Sequence, residues 1–530
     1  MYDLLIKNGM IVDGSGALPF RGDLAVKDGK IARIAKMIEE EAAEVLDAAG
    51  LIVSPGFIDA HSHDDIMVLS GDDAPSILEQ GITTEVGGQC GGSLTPFLPE
   101  TAEELGVDSN AKMFAGLVAG GGNLAALLKE LEHTELPVNI AFLIGHGSIR
   151  QAVMGLENRP ATPEELNAMK DLLRQELEAG AIGFSTGLIY PPSCYAGPEE
   201  LVELAKAAAE YPDALYASHM RNESYQVVAA VQETIELGAR SGLPVHISHH
   251  KIAGKGNEGT SRITLVLISS ARAQGQDVTL DAYPYDGGAT ALINALPPKY
   301  RVVGNEALLE QLKDPSFRAQ VKAEMEVVPT DFENLIGMCG FDRVLLENAD
   351  AEGVVSLADL AKAQGKEPFD ALFDLIIETK GNAGGIYRMI IEEDMNNILR
   401  YPVCSVGIDA CREPLNPNMH PRSRASYPRF LARWVREKSW LTLEDGVRKI
   451  TGLPADSYGL HRKGYLREGL DADLVIFDYA TIAGPADYGC GDLPNIGIKA
   501  VYVNGTCAVW DGVITGKNAG RPVLRAETVE

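Results

Sequence analysis

The chain has 530 residues, too many for one ordinary hydrophobic core, so one large domain with a smaller companion is expected. Its 75 acidic and 46 basic residues leave a formal charge of −29, which argues against a nucleic-acid partner by phosphate repulsion. No apolar run reaches the length of a membrane span, and residues 1–20 are broken by Asp3, Lys7, Gly9 and Asp13, so neither a membrane partner nor a signal peptide is expected. The seven cysteines are an odd, scattered set without CxxC spacing, which reads as reduced, cytoplasmic usage.

Residues 1–55 read as short β segments. Tyr2–Lys7 and Met10–Val12 flank the turn dipeptide Asn8-Gly9, and Asp23–Val26 and Ile31–Ile34 flank Asp28-Gly29. Glu44–Asp47 and Leu51–Val53 make a third pair around Ala49-Gly50. Similar segments recur at the far end, in Asp473–Phe477, Val501–Val503 and Cys507–Trp510. Both termini are therefore expected to build one small β-sandwich domain, residues 1–55 with 460–530, around an inserted middle.

From residue 56 to 459 the texture changes to apolar strands alternating with amphipathic helices, the pattern of parallel βα units. Eight strand candidates are Gly56–His61, Ile82–Val86, Val138–Ile144, Ile182–Ser185, Ala214–Ser218, Pro244–Ser248, Val278–Tyr283 and Val403–Asp409. They predict an α/β fold, a (β/α)₈ TIM-type barrel. A doubly wound sheet is the alternative, but no GxGxxG turn follows the first strand. Thr162 with Gly180, and Pro198, mark two of the helices, Pro163–Ala179 and Pro198–Ala209. After strand seven, about 286–400 reads as an inserted subdomain over the barrel mouth, with helices at Glu306–Leu312, Ser316–Glu326, Ser356–Gln364 and Pro368–Thr379.

Active sites of such barrels lie at the C-terminal strand ends. Those ends carry His61 and His63, Cys90, His219, His249-His250 and Asp409. Residues two apart in a strand share a face, so His61 and His63 point to one place. Imidazole, thiolate and carboxylate in one ring suit zinc. Each residue also has a plain structural reading: a cysteine in a glycine turn, a core histidine, an Asp capping a helix.

Pro55–His63 after an N-terminal β segment, a strand-eight Asp and a terminal Gly469–Asp478 resemble the amidohydrolase superfamily. Gly88–Gly91, Ser218–Glu223, Ile247–Lys251 and Tyr283–Tyr285 resemble the D-aminoacylases (N-acyl-D-amino-acid deacylases) within it. The resemblance implies one zinc site on His61 and His63 and another on His219 and His249. Cys90 would stand where other subgroups carry a carboxylated lysine, and the fourth strand indeed offers no lysine. It also places a substrate-binding lysine two residues after a ligand. That lysine and strand alternation together select His249 over His250, leaving His250 as a second donor of undetermined pairing. Whether one zinc ion or two is held stays open.

The implied reaction is hydrolysis of N-acyl-D-amino acids, small molecules with a free carboxylate. Asp409 would complete the metal ring, accept the proton of water and deliver it to the leaving nitrogen. Lys251, Tyr283 and Arg422 would grip the substrate carboxylate, with Tyr190 or Tyr195 as a further substrate contact. The turn Asp409-Ala410-Cys411-Arg412-Glu413-Pro414 departs from the Ser-Asp-Gly-type turn of the resembled family, and Arg412 is a candidate for selecting an acidic side chain. The competing readings are a hydrolase of cyclic amides or of D-amino-acid-containing dipeptides, and a non-catalytic binding protein on the same scaffold.

Overall fold

Short strands of Val, Ile, Leu and Ala, buried on both faces, are what a parallel barrel demands of its wall. A computed structural model describes residues 1–98, 112–327, 332–347, 353–412 and 414–525. Its barrel strands are β1 (Phe57–Asp59), β2 (Ile82–Gly87), β3 (Asn139–Gly145) and β4 (Gly183–Gly187). They continue as β5 (Leu215–His219), β6 (Val245–Ile247), β7 (Val278–Ala282) and β8 (Cys404–Val406). The eight pair in sequence order, all in parallel, and each lies within three residues of its expected bounds.

The helices between them follow their local signals. Pro163–Glu178 opens on a capping box in which Thr162 and Glu165 exchange side-chain and backbone hydrogen bonds. Its Met169, Leu173 and Leu177, at helical spacing, are buried. Pro198–Ala208 likewise starts with proline at its first position.

The wall does not close by an ordinary strand pair between β1 and β8 among the described residues. Instead the segments just beyond the strands join. Asp409 N–H donates to His61 O at 2.8 Å, and His63 N–H to Ala410 O at 3.1 Å. The Asp59 carboxylate fills the gap below, accepting from His61 N–H at 3.1 Å and Ile408 N–H at 2.9 Å. A second irregularity lies at the lower edge of β3, where Pro522–Val523 pairs in parallel with Ile140 and Ala141.

Both termini contribute to one nine-stranded sheet, in which Ile52–Pro55 pairs antiparallel with Leu474–Phe477. Leu4, Ile6, Leu24, Val26, Leu474, Ile476 and Tyr502 share its core. Two of the expected hairpins are corrected. Asn8-Gly9 is not a turn: Tyr2–Ile11 is one strand, and the register against Phe20–Lys27 shifts there as a bulge, with Asn8 at φ +61°. Ala42–Asp47 and Ile52–Pro55 do not pair with each other; both run parallel to Tyr2–Ile11. Of these three N-terminal pairs, Asp28-Gly29 alone turns the expected hairpin, between Phe20–Lys27 and Lys30–Ala35.

The connection between β7 and β8 holds a three-stranded antiparallel sheet of Gly288–Ala291, Gly384–Tyr387 and Val344–Leu346. Helices Asn305–Gln311, Pro315–Met325, Leu357–Gln364 and Pro368–Glu378 accompany it, each close to its expected span. Glu392–Arg400, which ends the connection, packs on β8. None of the described helices is long and apolar enough to cross a membrane.

A buried charge cluster ties the nine-stranded sheet to the barrel. Lys463 Nζ lies 2.7 Å from Asp473 and 3.0 Å from Asp471, and Arg521 reaches Asp471 at 2.6 Å. Asp473 also accepts from Asn139 of β3 at 3.2 Å. Removing Lys463 leaves Asp471 with Arg462 and Arg521 but strands the buried Asp473 without its cation. Lys463→Met is therefore expected to lower stability by about 3–5 kcal/mol, seen as an earlier urea midpoint in tryptophan fluorescence.

Candidate active site

The strand ends deliver a ring of donors to the barrel mouth. His61 Nε2 lies 3.3 Å from Cys90 Sγ and 3.4 Å from Asp409 Oδ1. His249 Nε2 lies 3.3 Å from the same sulfur and 3.0 Å from His219 Nδ1. His63, at the rim, approaches Asp409 Oδ1 at 3.3 Å. All six candidate ligands thus meet in one place, and His61 and His63 converge as their two-residue spacing requires.

Convergence is bought with backbone strain. Cys90, His249 and Asp409 have φ of +53°, +35° and +52°, a region that side chains with a Cβ seldom occupy. Local bonds hold these turns. Ser185 of β4 donates its hydroxyl to Gly88 O and accepts Gly91 N–H at 3.0 Å, so the strand without a lysine supports the Cys90 loop. Gly91 is needed there, since a Cβ would fall 2.5 Å from Gly187 N.

Behind the ring stand two carboxylates that the sequence reading missed. Asp281 of β7 faces His61 Nδ1 at 3.3 Å and His246 Nε2 at 2.9 Å, and accepts His249 N–H at 3.0 Å. Glu223, past β5, faces His249 Nδ1 at 2.9 Å and binds Lys251 Nζ at 2.7 and 2.8 Å. Both are buried, which opposes ionisation. Even so, Lys251 and His249 hold Glu223, and His61 and His246 hold Asp281, below the usual carboxylate range. Each therefore stays anionic and fixes the ring it faces. Polar signals existed: a lone Asp inside apolar Val278–Ala282, and the Glu four residues after His219.

Burial pushes the His61 imidazolium down to about 4 and His219 well below its ordinary value, so both rings are neutral bases. Burial, then Asp409, drives the Cys90 thiol up. Asp409, although buried, is held well below the ordinary range, chiefly by Arg422, whose guanidinium meets it at 2.6 Å.

Around the ring lies a cavity of about 520 Å³, lined by Tyr190, Lys251, Tyr283, Asp409 and Arg422 among others. Tyr283 Oη is buried and without a partner, with Lys251 Nζ 5.7 Å and the Arg422 guanidinium 4.7 Å from its ring centre. Tyr190 packs edge-on against His219, with ring centres 5.1 Å apart. Tyr195 instead donates to Pro298 O at 2.7 Å and is absent from the cavity wall. His250 is turned away from the ring, its Nε2 facing Thr264 Oγ1 at 2.9 Å.

Arg412 does not fit the side-chain role considered for it. Its guanidinium is committed to Asp64 Oδ2 at 2.8 Å and Glu85 Oε2 at 3.3 Å, both fully buried. Glu413 lies outside the described residues.

The donor set fits zinc. His61, Cys90, His249 and Asp409 offer ligand atoms all within 4.8 Å of one another, as do His219, Glu223 and His249. His219 Nε2 is buried without a hydrogen-bond partner, which leaves a lone pair or N–H unmatched inside the protein.

Comparison with known proteins agrees with this geometry. Residues 44–265 and 356–509 match the amidohydrolase family. A D-aminoacylase of Alcaligenes xylosoxydans xylosoxydans is 36% identical over 99% of this chain and 98% of its own. An N-acyl-D-glutamate deacylase of the same organism is 35% identical over 99% and 97%. The crystal structure of the N-acyl-D-glutamate deacylase of Bordetella bronchiseptica, complexed with zinc and a phosphonate inhibitor mimicking the tetrahedral intermediate, superposes with a TM-score of 0.82. It shares 35% identity and covers 99% of each chain. With a family match across most of its length and these full-length relatives, the chain belongs to the amidohydrolase family and, within it, to the D-aminoacylases.

Proposed function

We propose that this chain is a zinc-dependent deacylase that hydrolyses the amide bond of N-acyl-D-amino acids, releasing a carboxylic acid and a free D-amino acid. One observation carries the reading: a carboxylate, Asp409, stands between the donor ring and a cluster of Lys251, Tyr283 and Arg422 in a single cavity. The names of its full-length relatives, deacylases of N-acyl-D-amino acids, support the substrate class. Seven free cysteines support a reducing compartment, and we place the protein in the cytoplasm.

Cys90, His219 and His249 would hold one zinc ion, and His61, His63 and Asp409 a second beside it. Bound there, zinc polarises the scissile carbonyl and lowers the pKa of water from about 15.7 to about 7. The chain's own residues do the rest. Lys251 and Arg422 supply the local positive charge that an anionic substrate needs in a protein of charge −29, and Tyr283 Oη donates to the same carboxylate. Asp409 accepts the proton of the attacking water. It then gives that proton to the amide nitrogen as the C–N bond breaks, so one carboxylate serves as base and then as acid. The substrate carboxylate competes with Asp409 for Arg422. Losing that guanidinium raises the proton affinity of Asp409, which makes it a better base in the complex than in the free enzyme. Glu223 and Asp281 keep His249 and His61 in the orientation that presents Nε2 to the metal.

Assays of N-acetyl-D- and N-acetyl-L-amino acids with zinc present should give turnover of the D series; robust turnover of only the L series rejects the stereochemical part. Asp409→Asn should leave the thermal midpoint nearly unchanged and reduce kcat by about 10²–10⁴-fold. Glu223→Gln should weaken zinc binding by about 10–100-fold, read by competition with a chromogenic chelator.

A further inference from the structure

The turn that bears Asp409 is joined to the barrel by a side chain that the reaction does not use. β1 and β8 share no strand pairing among the described residues, and the seam between them is closed by backbone bonds from His61 to Ala410. Beyond Ala410 the join passes to Arg412. Its backbone N–H donates to Asp64 Oδ1, its Nε to Asp64 Oδ2 at 2.8 Å, and its terminal nitrogen to Glu85 Oε2 at 3.3 Å. Asp64 directly follows His63. Glu85 lies on β2, which leads into the Cys90 loop, and its other oxygen accepts from Ser62 Oγ at 3.1 Å. One guanidinium therefore grips the segments that carry His63, Cys90 and Asp409.

The turn needs such a grip. Asp409 is held at φ +52°, while its carboxylate must keep Oδ1 within 3.3–3.4 Å of His63 and His61. Arg412 is 9% exposed and sits between two carboxylates that are fully buried. Burial, then Asp64, pushes the Glu85 carboxyl up, and the Arg412 guanidinium opposes that shift. The planar fork fixes three segments at once, which a lysine ammonium on its flexible stem does not reproduce.

We propose that Arg412 is a positioning residue: by clamping the strand-eight turn to Asp64 and Glu85 across the barrel seam, it keeps the Asp409 carboxylate between His61 and His63. Arg412 lines part of the cavity wall, but its guanidinium is committed to Asp64 and Glu85, and the clamp acts through Asp409. The inference rests on the deacylase reading for its kinetic readout alone.

The test uses the full chain, stripped of metal, and its Arg412→Gln variant. Since that change leaves Asp64 buried without its cation, the double variant Asp64→Asn/Arg412→Gln, in which the charges cancel, is measured beside it. Cobalt(II) titration, followed by visible absorption, reads the metal sites. The first equivalent, marked by the thiolate charge-transfer band of Cys90, should bind as in the parent. The second should bind at least about tenfold more weakly in either variant. With an N-acetyl-D-amino acid, kcat should fall at least about tenfold while KM stays within about twofold, because Lys251 and Tyr283 are untouched. A double variant with the parent's second cobalt affinity and parental kcat overturns the proposal. If the parent itself turns over no D-substrate, the deacylase reading fails, and the cobalt titration alone then decides on the clamp.

Discussion

Lone pairs concentrated in a buried place are the constraint around which this structure is arranged. Two imidazole nitrogens face one sulfur at 3.3 Å, and a carboxylate oxygen lies 3.4 Å from one of them. In water such groups would disperse into separate hydration shells. Inside a barrel mouth they repel one another, and each lacks the solvent that would satisfy it. A divalent cation resolves both problems, because every lone pair that repels its neighbour is attracted to the ion. The burial that keeps His61 and His219 neutral works in the same direction, since only a neutral imidazole can act as a ligand.

Holding donors in that arrangement requires a second layer, and the barrel supplies it from its own strands. Asp281 spans His61 and His246 while accepting the backbone of His249, so a single carboxylate on β7 sets the orientation of two ligands. Glu223 does the same for His249 and ties it to Lys251. That pair connects the donor ring to the cluster of Lys251, Tyr283 and Arg422. A shift of Lys251 toward an incoming anion would be felt at Glu223 and hence at His249. Acidic overall charge and local cationic groups are thus compatible, because Lys251 and Arg422 in the cavity are matched to Glu223 and Asp409.

The chain's patterning made the barrel legible. Apolar runs of four to seven residues separated by helical periodicity located all eight strands, and their polar ends marked the candidate donors that the fold brings together. What pattern could not reveal was pairing across long separations. Asn8-Gly9 has the composition of a hairpin turn, yet here it makes a bulge in a strand paired with Phe20–Lys27 on one edge and with Ala42–Asp47 and then Ile52–Pro55 along the other. Asp281 and Glu223 looked like ordinary polar residues until the fold placed them against histidines. Arg412 was legible as unusual but not as a clamp, since its partners Asp64 and Glu85 lie more than three hundred residues earlier.

The turn after strand eight that bears Asp409 lies on the seam with β1. At that level Ser62 and Ala410 form a parallel bridge, and Asp409, in the left-handed region like Cys90 and His249 past their own strands, donates its N–H to His61 O. The seam brings the candidate ligands of the first and last strands face to face, so His61, His63 and Asp409 form one cluster at the barrel mouth. The insertion between β7 and β8 borders that mouth and contributes Tyr387 and Met389 to the cavity wall. The donor ring is therefore built on the ends of barrel strands, whereas part of the cavity wall belongs to the three-stranded sheet of the insertion. Changes in that sheet can reshape selectivity without moving a single donor.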